Sequence, residues 1–167
     1  MLGNMPSNSV IDELDGRLIR LLSDYPRIGV LECARRLGVA RGTAQARLDK
    51  LTARGVIRGF GPQVDTEALG YGVTAFMTLE IRQVEGYQPV ARHLESIPEV
   101  LEAHTVTGTG DLMCRIVART NADLQRVIDE IVSATAVVRA STVIALAEQV
   151  PYRTLPLVTR AAADASD

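Results

Sequence analysis

A basic stretch early in the chain holds residues that can bind another molecule. Positions 26–62 contain eight Arg or Lys residues against two acidic ones, a local charge of +6. Guanidinium and ammonium groups contact the phosphates of nucleic acids, so this stretch is a candidate DNA-binding segment. The charge alone is equally compatible with a solvated basic face that binds nothing.

The net charge of the whole chain hides this stretch. The 167 residues carry 18 basic and 20 acidic groups, a formal net charge of −2. Residues 1–62 hold 10 basic and 6 acidic groups (+4), whereas residues 63–167 hold 8 and 14 (−6). Such asymmetry is typical of a nucleic-acid-binding segment joined to another domain. Length and charge together predict two small globular domains.

A helix predicted over about 41–54 would carry the DNA-facing side chains. At about 100° per residue, Ala44, Leu48 and Leu51 share the side that would face the core. The opposite side carries small and polar residues, which would let the helix backbone lie deep in the major groove. The competing interpretation is a three-helix bundle whose polar side is merely solvated.

The residues predicted to contact DNA fall into two groups by chemistry. Thr43 and Gln45 can hydrogen-bond the edges of bases, and the cationic side chains can reach phosphates. Arg47 lies nearer the core side and can contact either DNA or a buried carboxylate such as Asp15. The full candidate set is Arg41, Thr43, Gln45, Arg47, Lys50, Arg54 and Arg58.

No sequence pattern supports catalysis, a metal site or a nucleotide cofactor. The cysteines and histidines stand singly, without a partner at metal-ligand spacing (Cys33, Cys114, His93 and His104). The glycines at 108 and 110 lack the third glycine of a dinucleotide-binding fingerprint, because that position is Met113. Hydrolase, zinc-protease and P-loop motifs are missing as well. The sequence therefore predicts a protein that is not an enzyme and has no cofactor.

The sequence also predicts a cytoplasmic location. Two unpaired cysteines are typical of a reducing compartment. No apolar run approaches the roughly 18 residues of a membrane span. Residues 1–9 lack the charged and apolar regions of a secretory signal.

Three helices must position the DNA-facing residues. Asp12 is a suitable N-cap for the first helix, and Gly38 is the residue type that commonly ends a helix such as the second. A glycine-containing turn between the second and third helices is typical of a helix-turn-helix. The helices are predicted over 12–25, 30–37 and 41–54, with a strand and turn over 56–62.

The residues after position 72 follow a different pattern. Apolar and polar residues alternate from Val73, which predicts a half-buried strand. The elements predicted in order are strand 73–82, helix 90–97, strands 99–107 and 112–119, helix 124–132 and strand 142–150. This β-α-β-β-α-β order is the ferredoxin-like arrangement, an α+β fold with two helices on one face of a four-stranded antiparallel sheet.

The predicted elements divide the chain into five segments. A flexible N-terminus, residues 1–9, precedes the helix-turn-helix domain. A linker separates that domain from the ferredoxin-like domain, and a tail follows. The predicted bounds are 10–62 for the helix-turn-helix domain, 63–72 for the linker, 73–150 for the ferredoxin-like domain and 151–167 for the tail.

Several short motifs follow one another along positions 11–150. In the first domain they are Ile11-Asp12-Glu13-Leu14-Asp15, Glu32-Cys33-Ala34, Leu37-Gly38-Val39, Arg47-Leu48 with Leu51, and Gly55-Val56-Ile57-Arg58-Gly59. In the second they are Leu69-Gly70, Pro98-Glu99-Val100, Val106-Thr107-Gly108-Thr109-Gly110-Asp111 and Ser141-Thr142-Val143-Ile144. No single motif is specific, but the ordered series resembles the Lrp/AsnC ("feast/famine") transcriptional regulators. Their regulatory domain is ferredoxin-like, of the RAM/ACT-like kind.

The resemblance implies an effector and an assembly. It implies a homodimer that pairs through the sheets of its second domains and assembles further into tetramers or octamers. An amino acid or similar small molecule would bind at the contacts between second domains. The resemblance places the effector loop at Gly108, Thr109, Gly110 and Asp111. His104 and Thr142 are expected to line the same region, and the alternative for either is a packed or solvated strand residue.

The chemistry of this loop suits an amino acid, although a simpler interpretation exists. Glycine N–H groups can hold a carboxylate, and the side chain of Asp111 can hold an α-ammonium group. The alternative is a plain hairpin turn in which the glycines only supply positive φ angles.

Two positions depart from the family pattern. The recognition helix is usually capped by Ser, and here the capping position is Ala40. The loss of a cap costs about 0.5–2 kcal/mol unless another group satisfies the amides. Cys33 stands where an aliphatic residue is common, a smaller change at a core position.

The predicted function is a sequence-specific DNA-binding transcriptional regulator controlled by an amino acid or related small molecule. Its expected partners are double-stranded DNA, the effector and further copies of the chain, with no membrane. Two other classes remain open. One is an architectural DNA-binding protein with little sequence preference, and the other is an amino-acid-binding regulatory subunit of a metabolic enzyme.

Overall fold

Two units make up the fold. The computed structural model describes residues 11–82 and 86–165, so the predicted flexible segment 1–9 lies outside them. The first unit comprises Met1–Pro62 and Val150–Asp167, and the second comprises Gln63–Gln149. In chain order the elements are α1 (Glu13–Asp24), α2 (Val30–Leu37), α3 (Arg41–Ala53), β1 (Val73–Ile81), α4 (Gln88–Glu95), β2 (Val100–Thr105), β3 (Leu112–Ala118), α5 (Asn121–Val132), β4 (Val137–Ile144) and α6 (Leu155–Ala163).

The helix-turn-helix of the first unit forms as predicted. The carboxylate of the N-cap Asp12 accepts a hydrogen bond from the Asp15 N–H (2.9 Å). The Asp15 carboxylate accepts one from the Asp12 N–H in return (3.2 Å), which completes a capping box at the start of α1. α2 ends at Gly38, whose φ of +71° is the left-handed conformation that glycine adopts without steric cost.

A small apolar core joins the helices of the first unit. Leu18 of α1, Cys33 and Leu37 of α2 and Leu51 of α3 meet in it, together with Ile11 and Ala162. Asp15 is also buried, with 2% of its surface exposed, and it is the one charged residue buried within the described part of the chain. The first unit therefore has to hold a charge inside a small core.

The strand predicted over 56–62 does not form. The N–H groups of Val56 and Ile57 both donate to the carbonyl oxygen of Leu51 (2.9 and 3.2 Å), just beyond the end of α3. Their side chains pack against the core of the first unit. Because these amides already close the helix end, they cannot enter a strand ladder, and residues 58–62 are irregular.

The sheet of the second unit confirms the predicted ferredoxin-like arrangement. Its strand order is β2-β3-β1-β4, and each neighbouring pair is antiparallel. Met77 in the middle of β1 lies opposite Cys114 of β3 and Thr142 of β4. Residues 63–72, predicted as a linker, belong to this unit.

The two faces of the sheet differ in burial. Alternate residues of β1 are buried under α4 and α5 in one large apolar core, which includes Leu94, Ile116, Val127 and Ile131. The intervening positions face the other way, where Phe76, Met113 and Val143 are exposed. One face of the sheet is therefore open and partly apolar.

The last strand lies earlier in the chain than predicted. β4 spans Val137–Ile144 instead of 142–150, because its ladder follows the length of β1, from Val137 opposite Ile81 to Ile144 opposite Ala75. A final hydrogen bond runs from the Ala145 N–H to the carbonyl of Thr74 (2.9 Å), and no strand of the described chain continues beyond it. Hydropathy alone extended the strand past the end of its partner.

The segment predicted as a tail contains a helix. α6 packs against α1, where Ala162 is buried beside Gly16. The sequence left open whether this tail is disordered or packs on a partner subunit. The structure assigns residues 150–167 to the first unit.

Candidate nucleic-acid interface and ligand-binding turn

α3 presents a polar side away from the core of the first unit. Ala44 and Leu51 are buried, and Thr43 and Gln45 are exposed. The Gln45 side-chain amide donates a hydrogen bond to the carboxylate of Asp49 (2.8 Å), which orients both polar groups on the exposed side. The small residues Gly42, Ala46 and Ala53 are exposed on the same helix. This arrangement matches the face predicted for the major groove.

Four predicted phosphate-contacting cations surround this face. They are all exposed, and within residues 11–82 and 86–165 none of them forms an ion pair: Arg41, Lys50, Arg54 and Arg58. Their charges are available to a polyanion, because no carboxylate of the described chain neutralises them at contact distance.

Two other cations of the basic stretch share one local carboxylate. Arg35 and Arg36 of α2 both bind the carboxylate of Glu32, at 2.7 and 2.8 Å. These hydrogen bonds lower the pKa of Glu32 to about 2. Arg36 also lies over the ring of Tyr25, 4.3 Å from its centroid. Unlike the four unpaired cations, these two side chains are held on α2 by contacts within the first unit.

Arg47 is held inside the first unit. Its guanidinium Nη1 donates to Asp12 Oδ2 and to Asp15 Oδ1, the latter at 3.0 Å. Burial by itself would raise the pKa of Asp12, but the hydrogen bond from Arg47, together with the Asp15 N–H, outweighs it and lowers the pKa. Of the two roles that the sequence left open for Arg47, the geometry favours contact with the carboxylates over contact with DNA.

The recognition helix starts without a side-chain cap. Ala40 occupies the N-cap position of α3 in an extended conformation, and no side chain accepts a hydrogen bond from the first amides. The Ala44 N–H still donates to the Ala40 carbonyl (3.1 Å), so the first helical turn closes. The missing Ser thus affects the stability of the first turn of α3 and not the residue at which the helix begins.

The predicted effector loop is fastened to β1. The Asp111 N–H donates to the carbonyl of Leu79, and one Asp111 carboxylate oxygen accepts from the Ile81 N–H, both at 2.8 Å. The Asp111 carbonyl accepts from the Val106 N–H at 3.0 Å, which closes the turn. Asp111 therefore supports the loop as well as lining the space beside it.

The two glycines of the loop are required for different reasons. Gly108 has a φ of +121°, which disfavours any residue with a Cβ atom. A Cβ atom on Gly110 would collide with Thr78 Cγ2 and lie 3.2 Å from the Leu79 carbonyl oxygen. Gly110 thus allows the backbone of the turn to approach β1.

Two shallow hollows flank the turn. One, of about 320 Å³, is lined by Glu80, Ile81, Val138 and residues 108–111. The other, of about 510 Å³, is lined by Thr78, residues 105–107, Thr109, Gly110 and Met113. Together they offer carboxylates, hydroxyls, backbone groups and a thioether, a set that can bind both ends of a small zwitterion.

His104 and Thr142 do not line either hollow within one copy of the chain. Thr142 lies opposite Met77, and so on the face of the sheet that α4 and α5 cover. His104 is exposed on β2 opposite Met113, with its Nε2 3.5 Å from a Glu102 carboxylate oxygen. The structure brings together Gly108, Thr109, Gly110 and Asp111 but leaves these two residues apart from them.

Sequence reasoning missed four residues beside the turn: Thr78, Glu80, Met113 and Val138. The alternation of β1 does place Thr78 and Glu80 on one face of the sheet. Their distance from the turn depends on the register between β1 and β3, which no sequence pattern supplies.

The described residues form no candidate metal site and no candidate membrane-spanning helix. Among residues 11–82 and 86–165, no group of three or more His, Cys, Asp or Glu side chains could hold a metal ion. No helix in that part of the chain is long and apolar enough to cross a membrane.

The fold and the two sites define a class of protein. A helix-turn-helix with unpaired cations, followed by a domain with a polar hollow, is the construction of a DNA-binding transcriptional regulator with a ligand-binding domain. Comparison with known families matches each unit. Residues 11–52 match the AsnC-type helix-turn-helix domain, and residues 74–155 match the Lrp/AsnC ligand binding domain. The protein belongs to the Lrp/AsnC family of transcriptional regulators, which confirms the resemblance noted in the sequence.

Individual relatives support the assignment. The chain is 33% identical over 118 residues to the regulatory protein AsnC of Haemophilus influenzae, covering 71% of this chain and 79% of the relative. It is 31% identical over 147 residues to the HTH-type transcriptional regulator FL11 of Pyrococcus horikoshii, covering 88% and 97%. Both relatives are named as regulators.

Solved structures agree with the fold. Escherichia coli AsnC aligns with a TM-score of 0.81 and 28% identity, covering 88% of this chain and 99% of AsnC. The feast or famine regulatory protein of Mycobacterium tuberculosis, complexed with L-methionine, aligns with a TM-score of 0.75 and 25% identity over 85% and 96% of the chains. The transcriptional regulator NMB0573 of Neisseria meningitidis, in an L-Met complex, has a TM-score of 0.79 at 23% identity over 88% and 97%, and supports the fold alone.

Proposed function

We propose that an amino acid or a closely related small molecule is the effector and that it binds in the hollows beside Gly108, Thr109, Gly110 and Asp111. The observation that carries this proposal is the turn itself, where Gly110 lacks a Cβ atom at the edge of two polar hollows. One structural neighbour, the Mycobacterium tuberculosis protein complexed with L-methionine, supports the class of ligand. Glu80 and Asp111 supply negative charge for an ammonium group, and the turn supplies hydroxyl and N–H groups for a carboxylate.

The effector site is completed by a second copy in this proposal. The open sheet face carries exposed apolar side chains, including Phe76, Met113 and Val143, which suit pairing with another sheet. His104 projects from the edge strand β2 on this open face and would join the site only across such an interface. Thr142 lies on the face that α4 and α5 cover, so it is not part of the proposed site. An effector that favours one assembly over another would shift the spacing of the recognition helices on DNA.

On the DNA side, we assign the contacts with base edges to Thr43 and Gln45. The phosphates are assigned to Arg41, Lys50, Arg54 and Arg58, and Arg47 is assigned to the interior of the first unit. A regulator of this kind would bind the chromosome in the cytoplasm, which is the location predicted from the unpaired cysteines. No catalytic step is assigned to the protein.

Binding to duplexes enriched from a random DNA library by the full chain tests the assignment of the DNA contacts. Gln45→Ala should reduce discrimination at one base position by roughly tenfold, because a side chain that reads a base edge is lost. Lys50→Ala should weaken binding equally on all sequences and reduce the salt slope by about 0.9 for one lost phosphate contact. Arg92→Ala, an exposed cation of α4, is the matched control. A library without enrichment would support an architectural protein instead.

A panel of amino acids tests the effector. Thermal shift of the full chain, with and without DNA, should identify one or a few amino acids that raise Tm and also change DNA affinity. Thr109→Val should reduce both effects, whereas Thr135→Val, an exposed threonine in the turn before β4, should leave them intact. Stabilisation by an amino acid without any change in DNA affinity would contradict the proposal and favour a regulatory subunit. A panel without any shift would exclude this effector class.

A further inference from the structure

α6 lies outside both family domains. The helix-turn-helix match ends at residue 52, and the ligand-binding-domain match ends at residue 155, where α6 (Leu155–Ala163) begins. Neither family domain explains what this helix does.

α6 docks on α1 through small residues at close range. Ala162 is 8% exposed, and its Cβ lies 2.8 Å from the place where a Cβ on Gly16 would be. Val158, one turn before Ala162, and the neighbouring Ala161 pack against the same core. Arg20 of α1 adds a hydrogen bond from its Nη2 to Thr159 Oγ1 (2.6 Å). Only a glycine at position 16 therefore leaves room for the Ala162 side chain.

The docked helix is weakly held. It has nine residues, no side-chain cap at its start and Pro156 in its first turn, and a single one of its residues, Ala162, is buried. Isolated helices of this length are not stable in water, so α6 is helical because it is docked. Folding and docking of α6 are thus one event, and a small loss of contact reverses both.

Docking also ties the first unit to the second through a second segment of the chain. The chain leaves the first unit at Pro62 and returns to it at Val150, after β4 ends at Ile144. The ten residues between β4 and α6 can extend at most about 36 Å. When α6 is docked, the first unit is held to the second through two segments. When it is released, the connection after residue 62 alone remains.

We propose that α6 is a detachable strap that limits the freedom of the DNA-binding unit and thereby sets which spacing of two half-sites the protein prefers. The proposal rests on the proposed function in one respect, that two copies bind one DNA duplex. A docked strap pre-organises each recognition helix, which strengthens binding to DNA of the matching spacing and weakens binding to others. Release of the strap lowers affinity for the preferred spacing and broadens the range of spacings that are accepted.

Gly16→Ala tests the strap with little risk to α1, because alanine favours a helix more than glycine does. The new Cβ would meet Ala162, so amide hydrogen exchange of residues 155–163 should accelerate at least tenfold. Affinity for the duplex enriched by the full chain should fall about fivefold, and discrimination against duplexes with altered half-site spacing should fall with it. No amino acid is added, so failure of the effector proposal does not affect the outcome.

Two further variants control this experiment. Gly16→Ala combined with Ala162→Gly restores the space and should restore both protection and spacing preference. Gly61→Ala, where a Cβ would meet no atom within 4 Å, should change neither. Faster amide hydrogen exchange in α6 of Gly16→Ala with unchanged DNA binding would overturn the strap proposal. Unchanged hydrogen exchange in α6 of this variant would overturn it as well. Loss of protection throughout α1–α3 would show that α6 is a permanent part of the first unit, and would overturn it too.

A reducible crosslink between these two positions tests the opposite state. Arg20→Cys with Thr159→Cys can be joined by a short bis-methanethiosulfonate crosslinker, whose span replaces the length of the arginine side chain, and the native cysteines are buried. The locked protein should keep its affinity for the preferred duplex and discriminate more sharply between spacings, and reduction should reverse this. A covalent dimer on a denaturing gel would show docking onto a second copy and overturn the strap. A full chain that enriches no duplex would overturn sequence-specific binding and the spacing role together, while hydrogen exchange would still report docking.

Discussion

The two units of this protein are stabilised by different means. The second unit has a large apolar core in which buried residues of β1, β3, α4 and α5 meet, and no buried charge occurs among its described residues. The first unit has a small core and places the buried Asp15 beside Arg47. The first unit carries 12 basic and 8 acidic groups, and the second carries 6 and 12. The basic unit thus depends on charge for its fold as well as for its partner.

This difference explains why one cation of α3 is unsuited to DNA. A small helical unit buries little apolar surface, so fixed polar contacts such as the capping box and the Arg47 bridge help to define how α1 meets α3. The remaining cations of α3 stay exposed. A basic residue in a recognition helix is therefore not by itself a DNA contact.

Arg47→Met should have the largest effect on the difference in stability between the two units. It would leave Asp15 buried without its cation, and we expect the first unit to lose about 3 kcal/mol of stability while the second unit is unchanged. Hydrogen exchange of peptides from each unit measures this. Adding Asp15→Asn should recover part of the loss, and Arg41→Ala, which removes an exposed cation of the same helix, should cost less than about 0.5 kcal/mol. Equal losses of stability in both units would contradict the conclusion that the two units are stabilised by different means.

Gly110→Ala should produce the corresponding defect in the second unit. The added methyl group collides with Thr78 and crowds the Leu79 carbonyl, and overpacking of this kind costs about 2 kcal/mol. Denaturant unfolding of the full chain, read by peptides of β1, measures the loss. Thr78→Ala should relieve part of it, whereas Gly72→Ala alone should be harmless because a Cβ there meets no atom within 4 Å. No loss in Gly110→Ala would mean that the turn is not held against β1.

Ala40→Ser should stabilise the first unit. A serine hydroxyl can accept a hydrogen bond from the amides at the start of α3, and this is worth about 1 kcal/mol. The expected result is a higher Tm and slower exchange in the first turn of α3. An unchanged first turn would indicate that these amides already have an acceptor, such as ordered water.

Acidification should give the smallest effect. The pKa of Asp12 is lowered in the folded state, so its contribution is fully present above the ordinary value of 3.8 and is lost as the pH falls through the folded pKa. Because Asp12 is partly exposed, we expect less than about 1 kcal/mol. The stability difference between the native chain and Arg47→Met, followed from pH 6 to pH 2.5, should narrow as the pH falls. A difference that widens would contradict the bridge.

The two candidate sites were predictable to different degrees. The DNA-facing side of α3 depends on one helix, so its periodicity placed Thr43, Gln45 and Lys50 correctly on the exposed side. The turn proposed to bind the effector could be located by its glycines, but Glu80, Met113 and Val138 come to it from three strands. His104 and Thr142 were grouped with it by sequence, although the register places them elsewhere within one copy.

Helices and strands also differ in how well the sequence predicted their bounds. α2 has the predicted bounds, since its apolar spacing and Gly38 are local signals. β4 was predicted about five residues too late, because a strand ends where its partner ends. α6 was missed because its helical state depends on Gly16, which lies far away in the chain.

The sequence alone determined the family, the helix-turn-helix, the ferredoxin-like order of elements and the division of charge, since all of these follow from local periodicity, composition and motif order. Tertiary structure decided which residues meet. It assigned Arg47 to Asp12 and Asp15, fitted Gly110 against Thr78 and placed Ala162 over Gly16. Each of these contacts joins residues more than thirty positions apart. Such distances are fixed by packing and register, which a linear pattern does not contain.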